Sequence, residues 1–429
     1  MGHYGAVSSN ENGQARAWYA GVSTYQWLIL IIASAGWVFD TYEGQIFNIT
    51  APHLLNTILE TSHDSHGQKF WTDVFFGVFL LGGAVGGLGF GLLADKFGRK
   101  PMLIATILTY SVFSGLMFFA QTLWQVGLLR FLVAVGTGGE WAVAASLVAE
   151  VFPSHARSHA SGIFHATSVT GTWIATSAGI LVGVHWRYAY LTGIIPALLV
   201  AWVVRTVKES PRQEKQDADK TGKLKELLTD RRWRRQAILG MLLAAVGLGT
   251  YWAVHVAGQG LAQSLLIKQG VPNDVAIRKG QIAYGYIETF GGILGLLSFA
   301  PLCQRFGRKR AFIGMQIAAF LITPVVCYLP QTYGQLLVLL PVFGFLTLSI
   351  HAGYAIYFPE LFPTRLRATG AGFCFNVGRV AAAWTVFFSA WLKRQVDLRL
   401  SLTLLATLFL FGVVIMLFLP ETKGRPLPE

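Results

Sequence analysis

The chain is dominated by apolar runs of about twenty residues, the length an α-helix needs to cross ~30 Å of hydrocarbon at ~1.5 Å per residue. Twelve can be counted between charged or Pro/Gly punctuation: 26–48, 70–93, 102–120, 123–148, 160–184, 187–207, 236–260, 281–300, 311–329, 333–357, 369–391 and 400–419. Only 13% of the 429 residues are charged, against roughly a quarter in a soluble domain. A soluble enzyme is thereby excluded, and a polytopic all-α membrane protein is predicted. Before the first run there is one basic residue, Arg16, and a polar stretch, Ser8 to Gly13. That is not the pattern of a cleaved signal peptide, so the first run is expected to be retained. Cys303, Cys327 and Cys374 lie in or near apolar runs and read as packing residues, not as a disulfide framework.

The net charge of +13 reflects loop composition and does not call for a nucleic-acid partner. With the N-terminus inside, one set of loops and tails holds twenty-three Lys and Arg and the other eight. Cytoplasmic loops retain positive charge during insertion, which puts both termini in the cytoplasm. The segment from 208 to 235, with ten basic and six acidic residues, cannot lie in lipid. It divides six runs from six: a bundle over 1–207, a cytoplasmic linker over 208–235 and a second bundle over 236–429.

The two halves repeat. Ala94-Asp95-Lys96-Phe97-Gly98-Arg99-Lys100 returns as Cys303-Gln304-Arg305-Phe306-Gly307-Arg308-Lys309, and Glu150-Val151-Phe152-Pro153 with Arg157 returns as Glu360-Leu361-Phe362-Pro363 with Arg367. Duplicated six-helix halves imply a transporter with its substrate site near the bilayer midplane, between the halves.

With Gly91-x-x-x-Asp95-x-x-Gly98-Arg99-Lys100, Arg130-x-x-x-x-Gly136-x-Gly138-Gly139-Glu140, Glu209-Ser210-Pro211-Arg212 and Pro420-Glu421-Thr422-Lys423-Gly424, the chain resembles the major facilitator superfamily along essentially its whole length. Within it the sugar-porter and organic-ion branch is most similar. Asp40-Thr41-Tyr42-Glu43 is similar to the D-G-x-D element of aromatic-acid and sialate-type proton symporters, and Arg379 stands where organic-anion carriers of the superfamily place an anion-binding Arg. Tyr251-Trp252-Ala253-Val254-His255 replaces the sugar-porter signature of the seventh run. The resemblance implies a fold of two pseudo-symmetric six-helix bundles and transport by alternating access. It also implies that Asp95, Gly98, Arg99, Glu150, Arg157, Gln304, Gly307, Arg308, Glu360 and Arg367 form charge networks gating the cytoplasmic mouth. Gln304, in place of the usual Asp, predicts a weaker latch in the second half.

An ionisable side chain in hydrocarbon costs at least ~2.5–3.5 kcal/mol, so it needs a partner or a task. Asp40 lies eight residues, about 12 Å, below the outer end of its run and Arg130 seven residues, about 10 Å, below its own. They are expected to be level. Asp40, with Glu43, is then the proton-coupling site and Arg130 its partner, or the group is a permanent salt bridge between helices one and four. Arg379 is about 18 Å deep, either binding a substrate carboxylate through two parallel hydrogen bonds or pairing with Glu288. Asn376, one turn away, joins it or serves as an interhelical amide. Tyr42, Trp141, Tyr284 and Glu288 are candidates to line the substrate cavity. Glu140, ten residues beyond Arg130, is assigned to cytoplasmic gating. His165, His255 and His351 read as histidines bonded between helices. The six glycines between Gly82 and Gly91 predict that another helix packs closely on the second.

The function expected is proton-coupled symport of a small organic anion, a monocarboxylate or aromatic acid, across the plasma membrane (the inner membrane if bacterial). The protein is expected to work as a monomer surrounded by lipid, with no cofactor, metal or enzymatic activity. The alternatives are a carrier of sugars, polyols or organic cations, and a non-transporting membrane sensor, against which the short tails argue.

Overall fold

The computed structural model describes residues 19–59, 65–207, 220–363 and 366–423. Every regular element among them is helical. The first four spans are α1 (Thr24–Leu59), α2 (Ser65–Phe97), α3 (Arg99–Leu116) and α4 (Leu123–Val151). The fifth is broken into α5 (Ser154–Ala166) and α6 (Ser168–Val182), and the sixth into α7 (Arg187–Leu191) and α8 (Ala197–Thr206). After α9 (Lys220–Thr229) comes the seventh span, α10 (Arg231–Lys268). The eighth joins α11 (Asn273–Ile282) to α12 (Thr289–Phe306) through a π-helical segment, Ala283–Glu288. Spans nine to eleven are α13 (Arg308–Tyr328), α14 (Tyr333–Glu360) and α15 (Arg367–Gln395), and the twelfth is α16 (Leu398–Ala406) with α17 (Leu408–Phe418).

Ten of these spans are long and apolar enough to cross a membrane by composition alone. Of the remaining two, α1 and α5–α6, the first carries polar side chains that the protein buries: Asp40, Glu43, Gln45 and Asn48. α1 continues eleven residues beyond the predicted end of its run, through Pro52. The sequon Asn48-Ile49-Thr50 therefore lies inside a helix, with Asn48 buried, rather than at a helix end.

The repeat is visible in backbone geometry. Gly98 and Gly307 begin α3 and α13 with φ of +105° and +93°, a conformation that glycine adopts without steric cost. The lysines behind them, Lys100 and Lys309, donate to the carbonyls of Val204 and Leu417. Thr122 with Gln125 and Thr332 with Gln335 form the same capping box at the start of α4 and α14, satisfying backbone donors left open at a helix N-terminus.

One apolar core runs through the second half and takes in Phe76 and Leu80 of α2. The first half has two cores, one around Ile29, Tyr110 and Val143, the other around Phe47, Phe75 and Trp186. Buried polar residues of α1 and α4 lie between them: Asp40, Glu43, Arg130 and Glu140.

The halves meet along α2 and α15. A Cβ on Gly77 would fall 2.3 Å from Phe387, one on Gly83 3.1 Å from Arg379, and one on Gly87 2.2 Å from Asn376. The neighbouring Gly82 and Gly86 are closed against the α4 backbone, at Phe131 O and Val135 O. Small residues thus let α2 approach one helix of its own half and one of the other. Further bonds cross between the halves. Lys393 Nζ donates to Asp73 Oδ2 at 2.6 Å, Gln281 Nε2 to Ile49 O at 2.8 Å and Trp173 Nε1 to Thr289 Oγ1 at 2.9 Å.

Candidate functional site

α1 and α4 run antiparallel in a register set by two contacts. Arg130 Nη1 donates to Glu43 O at 2.7 Å, and a Cβ on Gly36 would fall 1.5 Å from Glu140 Oε1. Asp40 lies between these points. Helical side chains lean toward their own N-terminus, so Asp40 and Glu140, on antiparallel helices, lean toward each other and their carboxyls meet. Asp40 is 4% exposed and Glu140 1%, and among the described residues the groups within reach of their oxygens are each other and one hydroxyl, with no cation bonded to either. The Tyr110 hydroxyl lies close by.

Arg130 does not pair with Asp40. Its guanidinium donates to α1 carbonyls and is held between the rings of Phe47, at 4.7 Å, and Phe79, at 4.2 Å. Glu43 turns to the third span, where Ser114 Oγ donates to its Oε2 at 2.8 Å. Tyr42 also turns inward, bonded to Ala189 O at 2.7 Å and to Thr192. Three of the five α1 and α4 residues expected at the coupling and substrate sites, Glu43, Tyr42 and Arg130, are therefore engaged inside the first half. Glu140, expected at the cytoplasmic end, instead sits beside Asp40.

Arg379 approaches from the second half. Its charge acts on Asp40, but no ion pair closes between them, and Nη1 donates only a long bond, 3.4 Å, to Gly83 O. The guanidinium lies 5.0 Å from the Phe375 ring and 6.0 Å from that of Trp141, and those two rings stack at 4.3 Å across the halves. Trp37 and His165 extend the aromatic wall, with centroids 6.3 Å and 5.9 Å from Trp141. The indole nitrogens of Trp37 and Trp141 and Oδ1 of Asn376 are buried without hydrogen-bond partners among the described residues. The result is a packed cluster where the halves meet, with one cation, a stacked aromatic wall, unengaged indole donors and two adjacent carboxyls.

Glu288, expected near Arg379, lies elsewhere. Its Oε2 is 2.9 Å from His255 Nδ1, and Tyr284 packs beside them, its ring centroid 6.2 Å from that of His255. Tyr284 also closes against Gly258, so it belongs to the packing of the second half. Sequence reasoning passed over Asp73, although it is the one acid near the start of the second run, and its partner Lys393 near the end of the eleventh.

Where α12 gives way to α13 in the second half, Arg308 donates to Glu360 through Nε at 3.0 Å and Nη2 at 2.7 Å, and Thr422 Oγ1 donates to the same carboxylate at 2.5 Å. Glu421 accepts from the backbone of Arg308, Lys309, Thr422 and Lys423. Burial opposes its charge, but these four donors outweigh it and hold the carboxyl below the ordinary range. Gln304 is exposed, and the latch is built around its position. The side chains of Asp95, Glu150, Arg157 and Arg367 lie outside the described residues, and Arg99 opens α3 behind Gly98.

Residues 26–271 match the model of the Major Facilitator Superfamily, and 213–429 that of the Sugar (and other) transporter family. The chain belongs to the major facilitator superfamily. It is a multi-pass membrane transporter and not an enzyme. It is 30% identical over 417 residues, covering 95% of this chain and 94% of the relative, to a probable 4-methylmuconolactone transporter of Cupriavidus pinatubonensis. It is 28% identical to the sialic acid transporter NanX of Escherichia coli, covering 92% and 94% of the two chains. The cis,cis-muconate transport protein of Acinetobacter baylyi is also 28% identical, with 82% and 86% covered. Among solved structures, a D-xylose-proton symporter superposes with a TM-score of 0.73 at 18% identity, over 94% of this chain and all of the other, a likeness of fold.

Proposed function

We propose that this carrier couples proton movement to symport of a small organic anion, a monocarboxylate or aromatic acid, across the plasma membrane, with both termini cytoplasmic. The observation that carries the reading is Arg379, set on the Trp141 and Phe375 rings and facing a buried Asp40–Glu140 pair to which no cation is bonded among the described residues. A planar guanidinium takes a carboxylate through two parallel bonds, and the aromatic wall suits an unsaturated or aromatic body. Muconate, muconolactone and sialic acid in the names of the relatives fit the same chemistry.

Coupling follows from charge. Two adjacent carboxylates in a low-dielectric site repel strongly, and an incoming anion adds a third negative group against one Arg. A proton shared by Asp40 and Glu140 removes that repulsion, so substrate and proton favour each other's binding. Residues 1–207 and 236–429 act as the two moving halves, with 208–235 as the cytoplasmic linker, and the residues at the ends of α3, α13 and α14 as the inner latch. One chain contains the whole cluster, so the unit is a monomer in lipid, needing neither cofactor nor metal.

The test is uptake of a labelled carboxylate panel into proteoliposomes, with and without an inward proton gradient, for wild type, Asp40→Asn and Arg379→Ala. Gradient-driven anion uptake that both substitutions abolish is expected. Transport of a neutral or cationic solute, unaffected by Arg379→Ala, refutes the anion assignment.

A further inference from the structure

A second buried acid stands apart from the Asp40–Glu140 cluster. Glu288 is 0% exposed and His255 1%. The 2.9 Å approach of Nδ1 to Oε2 lies too far off the N–H direction to make a hydrogen bond, so both Glu288 oxygens lack a donor among the described residues. A bare carboxylate is too costly at such a site: it must be paired with a cation or hold a proton. Among the described residues the basic group beside it is the His255 imidazole, a side chain able to take up and release a proton.

The local backbone is unusual in the same place. The π-helical segment Ala283–Glu288 ends on this acid, and such bulges recur at functional positions of helices. It is held by α6, where the Ser177 hydroxyl and Tyr286 hydroxyl are 2.5 Å apart and a Cβ on Gly285 would strike Thr176. α6 belongs to the first half and the π segment to the second. On the other side Gln45 of α1 reaches His255 Nε2 at 3.5 Å, and Gln281 donates to Ile49 O of α1. The site is thus roofed by α1 and α6 of the opposite half, and separation of the halves opens it to water.

We propose that Glu288 and His255 form a second proton-binding site, in the C-terminal half, that is filled and emptied as the halves part and close. Water donates the proton to the pair when α1 and α6 withdraw. On closure the pair keeps one proton, on the Glu288 carboxyl or on the His255 imidazole, leaving it with no net charge beneath Gln45. The other titratable groups facing it are Tyr251, stacked on His255 with centroids 5.2 Å apart, and Tyr284, backed by Cys327. His351 of α14 packs on the far side of the pair against the Tyr251 ring, with centroids 5.0 Å apart. α1 offers Gln45, α6 offers hydroxyls and α2 offers Phe76, against Trp252; none of these carries charge. This inference rests on the alternating-access reading but not on the anion assignment.

The test is infrared difference spectroscopy of the full-length protein in nanodiscs, titrated from acid to alkaline pH without substrate, for wild type, Glu288→Gln, His255→Gln and Asp40→Asn. Glu288→Gln should remove one carboxyl band that Asp40→Asn leaves in place, and His255→Gln should shift that band along the pH axis. A wild-type titration from which Glu288→Gln subtracts nothing overturns the proposal, as does a Glu288 band indifferent to His255→Gln. In proteoliposomes with a one-unit pH gradient and no membrane potential, each coupled proton is worth about tenfold in accumulation. Glu288→Gln should accumulate solute about tenfold less while keeping equal-concentration exchange, and unchanged accumulation also overturns it. If no carboxylate is transported, the infrared titration still judges this site while the anion reading fails.

Discussion

Lys393→Met should unlatch the outer side of this transporter. Lys393 Nζ is 2.6 Å from Asp73 Oδ2, both residues are at least 94% buried, and Ser389 Oγ adds a bond to the same oxygen at 3.3 Å. The pair joins α15 to α2, so it exists only while the outer ends of the halves are together. Removing one member of a buried ion pair costs about 3–5 kcal/mol, because the other is left as an unpaired charge. That cost falls on the closed state alone, since Asp73 is hydrated once the halves part. At ~1.4 kcal/mol per decade, the equilibrium between closed and open outer sides moves by roughly a hundred- to several-thousand-fold toward open. Asp73→Asn should move it less, because the lysine left behind can extend its head toward water. The double variant Asp73→Asn/Lys393→Met leaves no orphan charge and should recover most of the closed population. Spin labels on cysteines at Thr57 and Lys268, in a background without the three buried native cysteines, report the separation by pulsed dipolar spectroscopy. A Lys393→Met distance distribution identical to wild type, or a double variant as open as the single, refutes the reasoning.

Other consequences are open to simpler measurement. Gly87→Ala places a methyl group 2.2 Å from Asn376 Oδ1, whereas Gly89→Ala meets nothing within 4 Å; turnover should fall at least severalfold in the first and stay at wild type in the second, read by initial uptake rates. Trp141→Ala removes the Phe375 stack and a face of the Arg379 site; a desolvated cation–π contact of ~2 kcal/mol corresponds to roughly thirtyfold weaker binding of an aromatic carboxylate, measurable by calorimetry, with a smaller loss for an aliphatic one. Glu421 is held below the ordinary carboxylate range, so its docking of residues 420–423 onto α13 contributes fully at neutral pH and is lost as pH falls through that lowered value. Glu421→Gln should reproduce the acid condition at neutral pH, and faster proteolytic trimming of the C-terminal tail checks it.

Membrane crossing, the count of twelve spans and the duplication were legible from residues in order, because helix length against bilayer thickness and a repeated motif are properties of one strand read along its length. Gly98 and Gly307 belong to this class: each is required by a local backbone turn that recurs 209 positions later. Arg379 was legible as well, since a cation midway along an apolar run stands out wherever the run is packed. Partnerships were not. Asp40 was expected to meet Arg130 on the strength of counted depth, yet α1 runs on to Leu59, so the last apolar residue of its run does not mark the end of the helix. Glu140 meets Asp40 because two antiparallel helices at one register make their side chains lean together, and neither register nor lean is written in either run alone. Asp73 and Lys393 are 320 residues apart, and Gln45 and His255 are 210 apart. Hydropathy and spacing determine that such polar groups must be buried somewhere in protein. Which of them come within a few ångströms is decided by how the two halves dock, a contact summed over glycines and rings of both halves that no local stretch contains.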